Sequence, residues 1–273
     1  MEKQENTNKV ASSENEDVLI VERHEAVAII TLNRPQVLNA RNQAMRQALV
    51  ETCQKLEKDA TIQAIILTGG GTRAFSTGLD LAELAKNSAK QNPGMIVGEW
   101  NDISQVANFS KPTIAAINGL AVGGGLELCL ACDIRIAAEG ARLGLVELRR
   151  GTIPGNGGTQ RLSRLIGVPR TLELLLTAEL ISASKAENFG LVNAVVPDEQ
   201  LKNTALEWAN TISKQAPLAL IAAKKVVWEG SNIDIEVALD LEKSIAAKLR
   251  NSEDFKEGVN AFREKRNPTW KGI

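Results

Sequence analysis

The pattern of apolar and polar residues divides the chain into a first part with strands and a second part with helices. Five short apolar runs, rich in β-branched residues, predict strands at 18–21, 26–32, 64–67, 112–117 and 134–138. The polar turn at 23–25 joins the first two runs and predicts a hairpin. Helical spacing of apolar residues predicts helices at 42–58 and 126–131. This order of elements is typical of an α/β core.

After Gly151, helical spacing predominates. It predicts helices at 159–166, 170–176, 184–189, 201–214, 218–228, 235–250 and 252–263, whereas only 191–196 predicts a strand. The helix at 235–250 carries an apolar stripe that consists of Val237, Leu241, Ile245 and Leu249. Such a stripe must cover either the protein's own core or a neighbouring subunit. We therefore predict a core at 18–200 and a helical C-terminal region at 201–273.

The first 17 residues are polar and contain no apolar segment like that of a secretory signal. They predict a disordered tail, and their acidic character argues against a mitochondrial transit peptide. No uninterrupted apolar run of about 18 residues predicts a membrane-spanning helix. The odd number of cysteines, three, is typical of a protein from a reducing compartment. We therefore expect a cytoplasmic protein.

Composition narrows the chemistry that the chain can perform. With 32 basic and 33 acidic residues, the net charge of −1 favours neither nucleic acid nor an anionic membrane as the main partner. The only histidine, His24, lies in the hairpin turn, which nearly excludes histidine-based catalysis and His-rich metal sites. Hydrophobic residues make up 44% of the chain and aromatic residues only 3%, so aliphatic side chains must form the core.

A glycine-rich turn at 118–125 leads from a predicted strand into a predicted helix. Glycines allow the backbone to approach a ligand closely, and a helix N-terminus adds the positive end of a dipole. The turn is therefore a candidate oxyanion hole, in which backbone N–H groups would stabilise a developing enolate. A tight packing turn between strand and helix explains the same glycines, and the glycine turn taken alone favours that interpretation.

Two glutamates lie in apolar surroundings beside glycine-rich turns. Glu127 follows the turn at 118–125 by about one helical turn, and Glu147 precedes the glycine-rich run at 151–158. A buried carboxylate has a raised pKa and can exchange protons near neutral pH, and two of them can divide the roles of acid and base. The alternatives are an exposed or paired position for Glu127 and a salt bridge from Glu147 to a nearby arginine: Arg149, Arg150 or Arg161.

Three further patterns allow more than one interpretation. The turn at 74–81 could supply a second backbone donor or could simply cap a helix at Thr77 or Asp80. Cys129 and Cys132 have the C-x-x-C spacing of redox and metal sites, but they lie in an apolar helix without a second pair, which predicts core packing. The lysines at 224–225 are most simply a solvated helix face.

Taken together, these segments resemble the crotonase (enoyl-CoA hydratase/isomerase) family. The resemblance extends from about 18 to 272 and is carried by segments at 32–40, 74–80, 111–119, 123–128, 147–162 and 255–266. It implies a spiral of ββα units with a helical C-terminal region involved in trimerisation, in trimers or dimers of trimers. It also implies binding of acyl-CoA thioesters and stabilisation of their enolates.

The resemblance also assigns catalytic positions. The backbone N–H groups of Leu79 and Gly124 match the two oxyanion donors, and Glu127 and Glu147 match the two hydratase glutamates, with Glu127 expected as the base on water and Glu147 as the acid to C2. The N–H of Gly155 matches a group near the attacked water. No metal or redox cofactor is implied, because CoA is part of the substrate.

Further positions match segments that contact CoA in the family: Val37, Leu38, Ser76, Thr77, Gly78, Asp80, Phe262 and Lys265. The last two can reach CoA bound to a neighbouring subunit. The sequence departs from the family at Leu79, where hydratases often have alanine, and at Ala82, which replaces a frequent lysine near CoA. These departures concern the acyl preference and the binding of the CoA phosphates rather than the fold.

The predicted function is therefore that of a hydro-lyase of fatty acid metabolism, which reversibly adds water to a trans-2-enoyl-CoA to give a 3-hydroxyacyl-CoA. The alternatives within the family are an enoyl-CoA isomerase, a carnitinyl-CoA-type dehydratase, a methylglutaconyl-CoA hydratase or a lyase, since one oxyanion hole serves many enolate reactions. The presence of both glutamates favours water chemistry. An RNA-binding homologue is the alternative of another class, and the near-neutral charge argues against it.

Overall fold

The computed structural model describes residues 18–88 and 102–273, so the tail predicted at 1–17 lies outside the described residues. Within these ranges, ten strands are present: β1 Leu19–His24, β2 Val27–Leu32, β3 Ala64–Gly69, β4 Ala74–Ser76, β5 Thr113–Ile117, β6 Leu120–Val122, β7 Ile134–Ala138, β8 Arg142–Gly144, β9 Ile181–Ser182 and β10 Ala194–Val196. They form a larger sheet in the order β1-β2-β3-β5-β7-β10 and a smaller sheet in the order β4-β6-β8-β9.

The described helices are α1 Gln43–Lys58, α2 Leu81–Ser88, α3 Asp102–Ala107, α4 Gly124–Ala131, α5 Gly158–Ile166, α6 Val168–Thr177, α7 Ala183–Asn188, α8 Leu201–Ser213, α9 Pro217–Gly230, α10 Ile235–Leu249 and α11 Glu253–Glu264. Short 3-10 helices occupy Pro35–Val37, Glu147–Arg150 and Asp198–Gln200. The predicted α/β fold class with a helical C-terminal region is thus confirmed, whereas the division of the chain at 200/201 stays a prediction.

Successive turns of the chain each contribute one strand to each sheet. β3 leads to β4 and α2, β5 leads to β6 and α4, and β7 leads to β8 and the 3-10 helix Glu147–Arg150. Neighbouring strands from successive turns pair in parallel in both sheets, whereas β1 and β9 pair antiparallel at the edges. This is the predicted spiral of ββα units.

The larger sheet is apolar on both faces, as expected for parallel strands covered on both sides. One face packs into the main core, which also contains Phe75 and Leu126. The other face carries Ile29 and Ile66 and is covered by α8, whose buried residues Leu201, Ala205 and Ala209 recur every fourth position. This spacing places all three on one stripe of the helix. The helical C-terminal region therefore starts with α8, which packs directly against the larger sheet.

The three cysteines are free and buried. Burial, together with the nearby charge of Asp133, raises the pKa of Cys132 to about 12. Because the thiolate is the reactive form, such a thiol is inert, and the prediction of core packing for the C-x-x-C pair is confirmed. No group of three or more metal-ligating side chains occurs among the described residues.

The C-terminal helices leave much apolar surface exposed in the single chain. Neither α9 nor α10 contains a buried residue, although the two helices pack against each other. In the predicted stripe of α10, Leu241, Ile245 and Leu249 are half-buried, whereas Val237 is exposed. The stripe therefore covers the protein's own helices only in part. No helix in 18–88 or 102–273 is long and apolar enough to cross a membrane, and the cytoplasmic location stays a prediction.

Lys224 corrects the prediction that 224–225 is a solvated face. Its Nζ lies 2.8 Å from Asp133 Oδ2 and donates to the Lys111 carbonyl at 3.0 Å, and the Lys224 side chain is only 10% exposed. Asp133 also accepts hydrogen bonds from Thr113 and from the indole N–H of Trp228. The helical spacing could not reveal this contact, because Asp133 lies far away in the sequence, immediately before β7. The pair fixes α9 to the core.

Lys224→Met should therefore lower the free energy of unfolding by about 2–3 kcal/mol, because Asp133 loses a charge-assisted hydrogen bond in a largely buried position. Lys225→Met is the matched control. Its pair with Glu229 is long, at 3.9 Å, and both side chains are more than half exposed, so the control should change stability by about 0–0.5 kcal/mol. Urea unfolding measures both values, and equal losses would contradict the distinction.

Candidate active site

Three turns of the chain meet at one edge of the smaller sheet. β4, β6 and β8 lie side by side in parallel, so their carboxyl ends point to the same edge. The chain leaves β4 through Gly78 and Leu79, leaves β6 through Gly123 and Gly124, and leaves β8 toward Glu147. The topology therefore brings together groups that are as far apart in sequence as Leu79 and Glu147.

Two glycines at this edge have conformations and contacts that exclude a side chain. Gly78 has φ +88°, and a Cβ there would lie 2.8 Å from the backbone nitrogen of Gly124. Gly123 has φ +55°, and its Cβ would lie 2.9 Å from Oε1 of Glu147. Positive φ and close approach are the two conditions under which glycine is needed. The three turns are therefore in direct contact.

The backbone N–H groups of Leu79 and Gly124 lie at this junction. Among residues 18–88 and 102–273, neither N–H donates to an acceptor. Gly124 is the first residue of α4, so its N–H lies at the positive end of the helix dipole. Two free, fixed donors on adjacent turns can bind one oxygen on which negative charge develops.

Glu127 lies in the first turn of α4 and is 1% exposed. Its Oε1 accepts hydrogen bonds from the backbone N–H groups of Asn156, at 2.7 Å, and Gly158, at 2.9 Å. The side-chain amide of Asn156 lies 3.4 Å from Oε2. Glu127 is thus buried and held by the loop that leads into α5, rather than on a solvated face or in an ion pair.

Glu147 lies in a 3-10 helix after β8 and is 8% exposed. Its Oε2 is buried and has no hydrogen-bond partner in the described part of the chain. Burial raises the pKa of Glu147, and the nearby charge of Glu127 raises it further. The alternative of a salt bridge to Arg149, Arg150 or Arg161 is wrong, because none of the described ion pairs includes Glu147.

The two carboxylates therefore lie in different environments within one site. One is surrounded by N–H donors, and the other is desolvated with a raised pKa. Gly155, the residue before Asn156, is exposed beside Glu127, and a Cβ there would meet no atom within 4 Å. Sequence reasoning missed the N–H donors of Asn156 and Gly158, although the glycine run around Asn156 was a signal for them.

The predicted CoA segments pair with each other beside the two donors. The N–H of Thr77 donates to the Leu38 carbonyl at 3.2 Å. The hydroxyl of Ser76 is buried, donates to the Asn39 carbonyl at 2.8 Å and accepts from the N–H of Gly78. Ser76 therefore supports the turn from within. Val37, by contrast, is 40% exposed at the surface of this segment.

Asp80 follows Leu79 and anchors the start of α2. Its Oδ2 lies 2.8 Å from Nη1 of Arg34, and its Oδ1 accepts from the N–H groups of Ala82 and Glu83. Phe262 and Lys265 lie at the end of α11, where Phe262 is 83% exposed. Among the described hydrogen bonds and ion pairs, none joins these two residues to 37–41 or 76–80. The single chain thus brings together all of the predicted site except its C-terminal members.

The raised pKa of Glu147 predicts a pH-dependent stability. Its protonated form stabilises the folded state below the ordinary glutamate pKa, near 4.3, and this contribution is lost as the pH rises through the raised folded pKa. Glu147→Gln stays neutral, so its unfolding free energy should increase relative to that of the parent as the pH rises from about 4 to 8. Urea unfolding across this range measures the difference. A difference between Glu147→Gln and the parent that stays constant across this range would contradict the assignment.

Comparisons with known proteins show which family the chain belongs to. The family model described as enoyl-CoA hydratase/isomerase matches residues 22–273. The short-chain-enoyl-CoA hydratase of Clostridium acetobutylicum is 40% identical over 91% of this chain and 95% of its own length. The 2,3-dehydroadipyl-CoA hydratase of Escherichia coli is 38% identical over 93% and 98%.

The crystal structure of an enoyl-CoA hydratase from Bacillus anthracis has the same fold, with a TM-score of 0.87 and 40% identity over 93% of this chain and 99% of that chain. The fold class and the resemblance predicted from the sequence are therefore confirmed, and the chain belongs to the enoyl-CoA hydratase/isomerase family.

Proposed function

We propose that the protein reversibly adds water to a trans-2-enoyl-CoA and gives a 3-hydroxyacyl-CoA. The observation that carries this proposal is the pair of buried carboxylates, Glu127 and Glu147, beside the free N–H groups of Leu79 and Gly124. Hydration needs one group that removes a proton from water, one that supplies a proton to carbon, and donors for the enolate oxygen. The two buried carboxylates and the two free N–H groups can supply these three functions.

In the proposed mechanism, the thioester oxygen lies between the N–H groups of Leu79 and Gly124. Water adds to C3, and negative charge moves through the conjugated system to this oxygen. Each donor in a comparable oxyanion hole contributes about 3–4 kcal/mol to the stability of the transition state. The donors belong to turns that are fixed by contact between Gly78 and Gly124, so little reorganisation accompanies the charge.

Glu127 is the proposed base on water. The N–H groups of Asn156 and Gly158 hold its Oε1, and its Oε2, which has only a long bond of 3.4 Å from the Asn156 side-chain amide among the described residues, is the proposed proton acceptor. The N–H of Gly155 is the proposed donor to the same water. Glu147, whose pKa is raised by burial, is the proposed acid that protonates C2. A raised pKa keeps a carboxyl group protonated closer to neutral pH, as an acid requires.

CoA binding is proposed for the segments beside the donors, namely Val37, Leu38, Thr77, Gly78 and Asp80, with Ser76 as their internal support. No cofactor takes part in the proposed mechanism, because CoA belongs to the substrate. The short-chain and dehydroadipyl substrates in the relatives' names differ in length and charge. Leu79 adds bulk beside the thioester where hydratases often have alanine, so the acyl preference needs a panel of straight, branched and carboxylated substrates.

The glutamates provide the first test of the proposal. Glu127→Gln and Glu147→Gln preserve shape but remove proton exchange, and general acid–base groups typically contribute about 10²–10⁴-fold. The kcat of each variant for hydration of crotonyl-CoA should therefore fall by at least about 10²-fold. The change in KM should be much smaller, because other segments hold CoA. If the two residues act as a unit, the double variant should be little slower than the slower single variant. Full activity of Glu127→Gln would contradict its role.

A double-bond isomerase is the second candidate within the family, and a single glutamate suffices for it. If isomerisation through Glu147 is the main reaction, Glu127→Gln should keep it. Turnover of a 3-enoyl-CoA by the parent and the same variants distinguishes the two functions. Absence of hydration by the parent on every enoyl-CoA tested would exclude the proposed function.

We also propose a trimer or a dimer of trimers. Large apolar side chains left exposed on α10 and α11, including Val237 and Phe262, support this assembly, because exposed apolar patches on a helical region often mark an interface. Light scattering at micromolar concentration should give a multiple of three subunits, and a stable monomer would contradict the proposed assembly.

Phe262→Ala and Lys265→Ala should raise KM more than they lower kcat, if these residues contact CoA on a neighbouring subunit.

A further inference from the structure

A buried ion pair joins Arg41 to Asp102, and its guanidinium lies next to Gly124, one of the two oxyanion donors. The side chains of Arg41 and Asp102 are only 2% and 5% exposed. Nη1 of Arg41 donates to Oδ2 of Asp102, which is the first residue of α3. The proposed reaction assigns no role to this pair.

The backbone of Arg41 holds the turn that carries the first donor. Its N–H donates to the Gly78 carbonyl at 2.7 Å, and its carbonyl accepts from the N–H of Asp80 at 3.2 Å. These two bonds lie on either side of Leu79 and leave the Leu79 N–H free. The direction of that N–H is therefore fixed by Arg41.

The side chain of Arg41 lies against the second donor. Its Nη2 is 2.7 Å from the position that a Cβ on Gly124 would occupy. Because Nη1 is bonded to Asp102, the guanidinium lies between the Asp102 carboxylate and the N-terminus of α4. The positive group of this pair is thus the one that lies next to Gly124.

Stability alone is a weak reason for such a pair. Nε of Arg41 is buried without a hydrogen-bond partner among the described residues. An incompletely satisfied buried ion pair is often no more stable than apolar side chains of similar volume. Two apolar residues would fill the same space without leaving a donor unpaired.

We propose that Arg41 is a positioning residue, which sets both oxyanion donors through its backbone and side chain and adds positive potential where the enolate oxygen develops. Asp102 holds the guanidinium in place. This inference rests on the proposed function, because it assigns a role within the same oxyanion hole. Positive charge next to an oxyanion hole acts with little screening when water is excluded.

The test compares three variants of the full chain. Arg41→Met with Asp102→Leu removes both charges together, so that neither is left buried alone. Asp102→Asn keeps the guanidinium and a hydrogen-bond acceptor but removes the compensating negative charge. Arg23→Met is the matched control, because Arg23 forms an ion pair with Asp59 at the surface, where it is 58% exposed.

The readouts are hydration of crotonyl-CoA and the pKa of bound acetoacetyl-CoA, whose enolate form is followed by its ultraviolet absorbance. The double variant should melt within about 5 °C of the parent. Its kcat should fall about 10–100-fold with KM within about threefold, and the pKa of bound acetoacetyl-CoA should rise by about one to two, since a less positive site binds the enolate less well. Asp102→Asn should leave this pKa at or below the parent value.

Parent-like kcat and ligand pKa in the double variant would overturn the proposal. A double variant that does not fold would assign the pair to stability and would overturn it equally. If Asp102→Asn raises the ligand pKa as much as the double variant does, the electrostatic role of Arg41 is wrong. Failure of the parent to hydrate any enoyl-CoA would instead exclude the proposed function, and Arg23→Met should match the parent throughout.

Discussion

The parallel alignment of β4, β6 and β8 is the constraint on which the site depends. Each strand comes from a different turn of the spiral, and each ends at the same edge of the smaller sheet. Leu79, Gly124 and Glu147 follow these ends directly, and Glu127 lies one helical turn further along α4. Parallel pairing of three-residue strands thus fixes groups from distant parts of the sequence, so that donors and carboxylates need no flexible loop to meet.

The backbone of α4 approaches the end of β4 very closely, which permits this alignment but allows only glycine at the contact. A Cβ on Gly125 would lie only 1.9 Å from the Ser76 carbonyl, so α4 packs directly on the end of β4. The same packing excludes water around Glu147, which raises its pKa, while the loop into α5 surrounds Glu127 with N–H donors. One dense arrangement thereby gives the two carboxylates different surroundings, and Arg41 contacts both donor turns.

The sequence predicted the elements with strong periodicity and the residues beside glycine turns. Glu127 and Glu147 were recognisable because carboxylates in apolar surroundings are unusual, and α1 was recognisable from its regular stripe. β4, β6, β8 and β9 were not predicted, since two or three residues are too few to show alternation. The strand predicted at 191–196 is present only at Ala194–Val196.

Contacts between residues that are far apart in the sequence could not be predicted from the sequence. Arg41 resembles an ordinary polar loop residue, and its partner Asp102 lies 61 positions away.

The most direct test of the proposed mechanism is a crystal structure of the protein with acetoacetyl-CoA. We expect the thioester oxygen within about 2.7–3.1 Å of the backbone nitrogens of Leu79 and Gly124, with both glutamates facing the reacting carbons. A thioester oxygen bound elsewhere, or either glutamate turned away from the ligand, would contradict the account.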